Sequence, residues 1–225
     1  GLRRVGVQLG LELIELVEAV RKVDGVVYRG VAFYPGHLRI YEPEPFDALR
    51  RTVAGMVDEL ERAGHKPEIV SGGSTPLLFE SHRIEGLTEI RPGTSVFNDR
   101  NCVGQSVATW ADCAASIQVT VVSSNGDRMM IDGGSKTFSS DGLSGSTEGT
   151  YGRIVECPEA RFHKMNEEHG FVELKDAGRR YRPGARLSVI PNHICVAMNL
   201  QERVYGVRAG RVEAVWVVAA RGKLQ

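Results

Sequence analysis

The first half of the chain alternates between short apolar runs and apolar residues at helical spacing. A short strand is predicted over 3–7, followed by a helix whose apolar face contains Leu11, Ile14, Val17 and Val20. A second apolar run, 26–34, precedes the strongest helical pattern, 43–65, which Gly64 ends. Both patterns indicate strands that alternate with helices.

The same alternation continues to residue 93. The run 67–73 predicts a strand that ends in glycines, 74–83 predicts a short helix, and 86–93 predicts another strand that closes on Pro-Gly. This βαβαβαβ order favours a parallel sheet, in which ligands bind at the carboxyl ends of the strands.

Beyond about Ala114 the pattern changes, because apolar or alternating runs follow one another without a long helical stretch, separated by NG, DG and PG turns. These runs, each a predicted strand, are 116–124, 128–132, 151–156, 185–190, 202–208 and 211–220. We expect an α/β chain in two domains: a partial β/α (TIM-type) barrel over 1–115 and a C-terminal all-β domain over 116–225. A closed barrel of this type takes about 200 to 250 residues. The first domain therefore has room for about half of one.

Composition narrows the class of protein. Lys and Arg number 28, as do Asp and Glu, so the formal net charge is zero and gives no reason to expect nucleic acid as a partner. The four cysteines are scattered and form no CxxC pair, and no apolar run has the roughly 18 residues of a membrane helix. We expect a cytoplasmic enzyme that acts on small molecules.

Eight motifs occur in an order that resembles one family. They are GLRRVGV from Gly1, YPGH from Tyr34, SGGSTP from Ser71, RPGTSVFND from Arg91, DGGSKTFSSD from Asp132, EEHG from Glu167, PNHICVAMN from Pro191 and VAARGK from Val218. In sequence and spacing they resemble the D-threonine aldolase and D-serine dehydratase group of fold-type III, alanine-racemase-like enzymes. PNHIC is the sharpest of these motifs.

The resemblance implies pyridoxal phosphate between a barrel and a β-domain, a homodimer, and a lysine that holds the cofactor covalently near the N-terminus of the complete enzyme. None of the six lysines stands at such a position: Lys22, Lys66, Lys136, Lys164, Lys175 and Lys223. We therefore expect this chain to be the C-terminal portion of such an enzyme, inactive as it stands.

A phosphate site is predicted where glycines follow a strand. Gly72 and Gly73 let backbone N–H groups approach an anion, Ser74 and Thr75 add hydroxyl donors, and a helix N-terminus there would add unpaired N–H groups. The plainer interpretation is a strand-to-helix turn capped by Ser74 or Thr75. The resemblance favours phosphate, with further donors from Gly93 and Thr94.

The resemblance also places side chains around the cofactor ring. Arg4 would face its phenolate oxygen and Arg91 its pyridine nitrogen, with Tyr34 hydrogen-bonded or stacked nearby. His37 is the candidate catalytic residue, and His169 is a further polar candidate. The alternatives are a surface or structural ion pair for Arg91 and structural roles for both histidines.

A metal site is predicted at His193 and Cys195, which lie two apart in a segment that looks extended, so their side chains share one face. An imidazole and a thiolate suit Zn²⁺, with the remaining positions open to water or substrate. HxC alone is common by chance. Its PNHIC context makes the metal the preferred interpretation.

Together these expectations describe a pyridoxal phosphate- and metal-dependent lyase for D-3-hydroxy amino acids, of aldolase or dehydratase type. The thiolate at Cys195, in place of a carboxylate, leans slightly toward the dehydratases. Two alternatives stay open: a non-catalytic fragment that retains cofactor-like pockets, and a metal-independent amino-acid racemase.

Overall fold

The computed structural model describes residues 4–39, 43–147, 149–175 and 180–223, so Gly1, Leu2 and Arg3 of the first motif lie outside it. The chain divides into two compact units. Unit 1 comprises Gly1–Val96 and Gln105–Val107, and unit 2 comprises Phe97–Gly104 and Ala108–Gln225. Among the described residues, no helix is long and apolar enough to cross a membrane.

Unit 1 contains a three-stranded parallel sheet of β1 (Gly30–Ala32), β2 (Ile69–Gly72) and β3 (Glu89–Ile90), in that order. The helices α1 (Leu11–Arg21) and α2 (Pro43–Arg62) precede β1 and β2 in the chain and share a hydrophobic core with the sheet. Because the strands are parallel, their carboxyl ends lie at one edge.

Apolar spacing positions both helices. The longer helix, α2, buries Phe46, Val53, Met56 and Leu60 on one face. It ends at Arg62. Two residues later Gly64 has a φ of 78°, in the left-handed region, and His65 N donates to the Leu60 carbonyl at 2.8 Å. The buried residues of α1 are Leu13 and Val17, whereas Leu11, predicted on that face, is 71% exposed.

Two local predictions in unit 1 are wrong. Residues 4–7 form no strand, and Val5 is 97% exposed, so no sheet covers this apolar run. The short helix predicted over 74–83 is two 3₁₀ turns, Thr75–Leu77 and Ser81–Arg83. Their backbone bonds span three residues: Leu78 N donates to the Thr75 carbonyl, and Ile84 N donates to the Ser81 carbonyl.

Unit 2 is built on antiparallel strands. They are β4 (Ile117–Asn125), β5 (Arg128–Ile131), β6 (Gly152–Ile154), β7 (Arg161–Met165), β8 (Gly170–Glu173) and β9 (Arg186–Pro191). The order is β6-β9-β4-β5-β8-β7, and Tyr151 N donates to the Phe162 carbonyl at 2.9 Å, which links the two ends of the order. The sheet is thus nearly closed into a barrel.

Short helices and a separate hairpin complete unit 2. The helices are α3 (Arg100–Gly104), α4 (Ser135–Phe138) and α5 (Ile194–Asn199), and the hairpin consists of β10 (Arg203–Arg208) and β11 (Arg211–Val217). The predicted fold class, an α/β half followed by an all-β half, is confirmed. The strands β7 and β8 are additions to the runs recognised in the sequence.

The core of the barrel is apolar. Its buried residues are Val119, Val121, Met129, Ile131, Phe138, Ile154, Cys157, Phe162, Val172, Leu174, Leu187 and Val189. Phe162 is fully buried and meets the Phe138 ring edge-on, with 5.2 Å between the ring centroids. An aromatic pair of this kind contributes more than its buried area alone.

Replacing Phe162 with alanine is expected to lower the free energy of unfolding by about 3 to 5 kcal/mol, because a fully buried ring leaves a cavity. Urea unfolding followed by circular dichroism measures it. Phe79, 61% exposed, is the control, and its alanine variant should stay within about 0.5 kcal/mol of the parent chain. Equal losses in the two variants would contradict the assigned core.

Candidate functional site

In unit 1, the candidate cofactor residues follow the carboxyl ends of the parallel strands. Phe33 and Tyr34 follow β1, Gly73 follows β2, and Arg91 follows β3. Phe33 N donates to the Ser71 carbonyl at 2.9 Å, and Arg91 Nη2 donates to the Phe33 carbonyl at 2.8 Å. These bonds hold the three strand ends together, so the sheet brings together residues that lie far apart in sequence.

The glycines of the predicted phosphate loop are required by their surroundings. A Cβ at Gly72 would collide with the Phe33 ring, so a larger residue fits at that position only if the ring moves. Gly73 has a φ of 86°, and a Cβ there would lie 3.1 Å from Ile90. The two glycines therefore allow a close backbone approach at this edge.

The Ser74 hydroxyl is a buried polar group without a partner. Ser74 is 1% exposed, and within the described part of the chain its Oγ has no hydrogen-bond partner. It also makes no cap bond to the 3₁₀ turn that follows, contrary to the capping alternative for Ser74. A buried hydroxyl without a partner, beside two glycines, suits an anion that would accept a hydrogen bond from it.

Gly93 and Thr94 lie beside this loop. They begin a 3₁₀ turn, Gly93–Val96, that packs against the turn Thr75–Leu77. Thr75 is buried, whereas Gly93 is exposed. The structure thus brings together both halves of the predicted phosphate site, with a 3₁₀ turn in place of the expected helix. The argument from a helix N-terminus no longer applies, and the glycines and hydroxyls remain.

The remaining candidates in unit 1 lie nearby. The Arg4 guanidinium lies 5.4 Å from the centroid of the Tyr34 ring, a cation–π contact. Gly36 leaves room for that ring, because a Cβ there would collide with it. His37 lies in the same turn and is exposed, as is Arg91. In unit 2, His169 is exposed in the segment between β7 and β8.

The predicted metal pair lies in unit 2, at the start of α5. The prediction of an extended segment is only half right. His193 is extended and acts as the N-cap residue, whereas Cys195 lies in the first turn of the helix. The two side chains are nevertheless in contact and share a hydrogen bond. A sulfur and an imidazole nitrogen are thus adjacent, which suits Zn²⁺.

Asp141 is a residue of this site that the sequence analysis missed. His193 Nδ1 lies 2.8 Å from Asp141 Oδ2, so a metal at this residue would have to bind Nε2, as in many histidine metal sites. Asp141 N donates to the hydroxyl of Ser139, a residue with a φ of 67°. Its position as the last residue of the DGGSKTFSSD motif was the available signal.

Hydrogen bonds change the acidity of His193. The bond with Cys195 raises the pKa of the imidazole to about 9, helped by the bond with Asp141 and opposed by burial. Within the described residues, no group of three or more His, Cys, Asp or Glu residues is arranged to hold a metal ion. A metal bound by His193 and Cys195 would therefore keep open positions for water or substrate.

Two families match the sequence. The "Alanine racemase, N-terminal domain" family matches residues 1–101, and the "Putative serine dehydratase domain" family matches residues 114–207. The 3-hydroxy-D-aspartate aldolase of Paracoccus denitrificans (strain Pd 1222) is 28% identical over 99% of this chain and 59% of its own length. The chain thus spans about three fifths of that relative.

Solved structures show the same fold. A D-threonine aldolase from Filomicrobium marinum superposes with a TM-score of 0.85 at 23% identity, over 100% of this chain and 62% of its own. A D-threo-3-hydroxyaspartate dehydratase from Delftia sp. HT23 superposes with a TM-score of 0.70 at 27% identity, over 84% of this chain and 55% of its own. Two further solved structures are variants of a D-threo-3-hydroxyaspartate dehydratase. One, in a metal-free form, has a cysteine replaced by alanine, and the other has a histidine two positions earlier replaced by alanine.

The fold is that of the alanine-racemase-like proteins, with a parallel α/β unit followed by an antiparallel barrel. Within that class, the chain belongs to the D-threonine aldolase and D-serine dehydratase group.

In the metal-free protein, His193 is expected to titrate with a pKa of about 9, and Asp141→Asn should lower that pKa, while the bond with Cys195, the larger cause, keeps it above 6.5. Because the folded-state pKa is raised, the stability that this proton contributes is complete below pH 6.5 and is lost as the pH rises through about 9. NMR titration of the imidazole measures both values. Glu156→Gln, which changes a carboxylate bonded to Ser188 N, is the control. A pKa near 6.5 in the unsubstituted chain would contradict the assigned bonds.

Proposed function

We propose that this chain forms the C-terminal part of a pyridoxal phosphate- and zinc-dependent lyase that acts on D-3-hydroxy amino acids. The observation that carries the proposal is the hydrogen-bonded pair His193 and Cys195, with Asp141 on the second imidazole nitrogen. The glycines at the sheet edge of unit 1 support the assignment of pyridoxal phosphate as the cofactor. The D-3-hydroxy amino acid substrates of the named relatives support the substrate class.

The cofactor's phosphate is assigned to the loop after β2 and the turn after β3. Gly72 and Gly73 give the anion access to the backbone, and Ser74 and Thr75 supply hydroxyls from buried positions. Gly93 and Thr94 complete the cradle. Arg4, Tyr34 and Arg91 are assigned to the ring, and His37, in the exposed turn after β1, is the candidate for proton transfer. When bound, pyridoxal phosphate supplies an electron sink for charge at the substrate's α-carbon.

The metal is assigned to His193 and Cys195. A bound zinc ion supplies Lewis-acid stabilisation of negative charge on the substrate's β-oxygen. Asp141 holds the imidazole in one tautomer and one orientation, and the Cys195 side chain is exposed on the first turn of α5. Binding requires the proton shared by this pair to leave, so the site has to deprotonate when the metal enters.

Dehydration is the outcome we favour over aldol cleavage. The His-x-Cys pair agrees in residue types and spacing with the histidine and cysteine replaced in the dehydratase variants, one of which is in a metal-free form. Dehydration yields a 2-oxo acid and ammonia, whereas cleavage yields glycine and an aldehyde. The proposal also includes a cytoplasmic homodimer, and light scattering of the purified protein tests the dimer.

Ser74→Ala is expected to weaken pyridoxal phosphate about tenfold or more, because a hydroxyl that binds a charged phosphate contributes about 1.5 to 3 kcal/mol. It should leave pyridoxal binding and the stability of the ligand-free chain nearly unchanged, since Ser74 Oγ has no partner to lose. Thr52→Ala is the control: it removes a hydroxyl that donates to the Ala48 carbonyl on the exposed side of α2, and it should leave phosphate affinity unchanged. Calorimetric titration with both vitamers measures the difference. Equal affinity for pyridoxal and its phosphate in the parent chain would remove the phosphate site.

His193→Ala is expected to abolish stoichiometric zinc, measured by elemental analysis, while pyridoxal phosphate affinity stays unchanged. His169→Ala, at an exposed histidine in the same unit, is the control and should keep its zinc.

Product analysis of the complete enzyme with D-3-hydroxy amino acids separates the alternatives. A 2-oxo acid that disappears on chelation and returns with Zn²⁺ supports the proposed dehydratase. Interconversion of enantiomers that persists under chelation would establish a racemase. A chain with no cofactor-dependent absorbance and no borohydride-reducible adduct would be non-catalytic.

A further inference from the structure

A buried carboxylate lies beneath the proposed metal pair. Asp99 is fully buried, with 0% of its surface exposed. Its Oδ1 accepts the Cys102 N–H at 2.9 Å, and its Oδ2 accepts the Ile194 N–H at 3.0 Å. Because both oxygens are bonded to backbone groups and neither reaches solvent, Asp99 is not placed as a ligand.

The Ile194 N–H connects the Asp99 carboxylate to the segment that carries His193 and Cys195. Ile194 lies between His193 and Cys195 and is the first residue of α5. The first N–H groups of a helix have no intrahelical acceptor, and His193, the N-cap residue, supplies none from its side chain. Asp99 supplies the acceptor from a position 95 residues earlier in the chain.

The two residues after Asp99 bond to Asn192, the residue that precedes His193. Asn101 N donates to the Asn192 carbonyl at 3.2 Å, and Arg100 Nη1 donates to Asn192 Oδ1 at 3.3 Å. Asn192 Nδ2 in turn donates to the Asp141 carbonyl at 3.1 Å. Residues 99–101 are therefore bonded to both neighbours of His193 and, through Asn192, to the backbone of its partner Asp141.

We propose that Asp99 is a positioning residue that sets the separation and orientation of the His193 and Cys195 side chains for a metal ion. This inference rests on the metal role in the proposed function. The carboxylate holds the backbone between His193 and Cys195, so these two proposed metal ligands are in place before the ion binds. A donor pair arranged in advance loses less conformational freedom when it binds.

The test compares zinc affinity in Asp99→Asn and in the parent chain, by competition with a chromophoric chelator. The amide places an NH₂ group where one oxygen accepted an N–H, so one of the two bonds is lost. Zinc affinity should fall roughly 10- to 100-fold, as for other groups that orient metal ligands. The cobalt-substituted chain should show altered d–d bands. Pyridoxal phosphate affinity should not change.

Glu156→Gln is the matched control, because Glu156 is also a carboxylate that accepts a backbone N–H, that of Ser188, 32 residues away. It should leave zinc affinity and the cobalt spectrum unchanged. An equal loss in both variants would show a general effect of stability and overturn the assignment of Asp99.

Ile194→Pro approaches the same bond from the donor side. Proline is tolerated at the first position of a helix, and His193, with φ of −134° and ψ of 101°, already has the extended backbone that precedes proline. This variant keeps Asp99 and its bond to Cys102, and it decides the question if Asp99→Asn does not fold. It should weaken zinc to a similar extent.

The outcomes separate this inference from the function on which it rests. A parent chain that binds no zinc removes the metal role itself. A parent chain that binds zinc, with Asp99→Asn or Ile194→Pro binding it equally well, overturns the positioning role and leaves the proposed lyase standing.

Discussion

Buried polar groups in a folded chain need partners, and this constraint organises the candidate site of unit 2. Asp99 is fully buried, and its charge is compensated by two backbone N–H groups from different parts of the chain. One of these belongs to the residue between His193 and Cys195. The bonds of Asn192 extend the same arrangement to Asp141. The positions of the His193 and Cys195 side chains therefore depend on the hydrogen bonds that Asp99 and Asn192 make to the backbone around them.

The same constraint has the opposite outcome in unit 1. The Ser74 hydroxyl is buried beside Gly72 and Gly73, yet the described residues offer it no partner. A group left unsatisfied in this way costs about 1 to 3 kcal/mol, a cost that a bound anion would relieve. The Ser74 hydroxyl and the Asp99 carboxylate are thus opposite cases: the first has no partner among the described residues, and the second has both oxygens bonded.

Helical periodicity predicted α1 and α2, because each buries apolar residues at helical spacing. Apolar runs located β2 and β9, because most of the residues in these two strands are buried. The strands β7 and β8 were missed. They are short, five and four residues, and each contains only two apolar side chains, which is too few to show a pattern in the sequence. The run at 4–7 was misjudged for a different reason: a strand exists only where another strand pairs with it.

The sequence by itself determined the family, the two-part fold and the residue types of both candidate sites, because glycine-rich turns and a His-x-Cys pair are local features. Only the tertiary structure decided how these residues are held. Asp141 lies 52 residues and Asp99 lies 94 residues from His193 in sequence. A hydrogen bond across such a separation depends on how the barrel folds, and no local pattern encodes it.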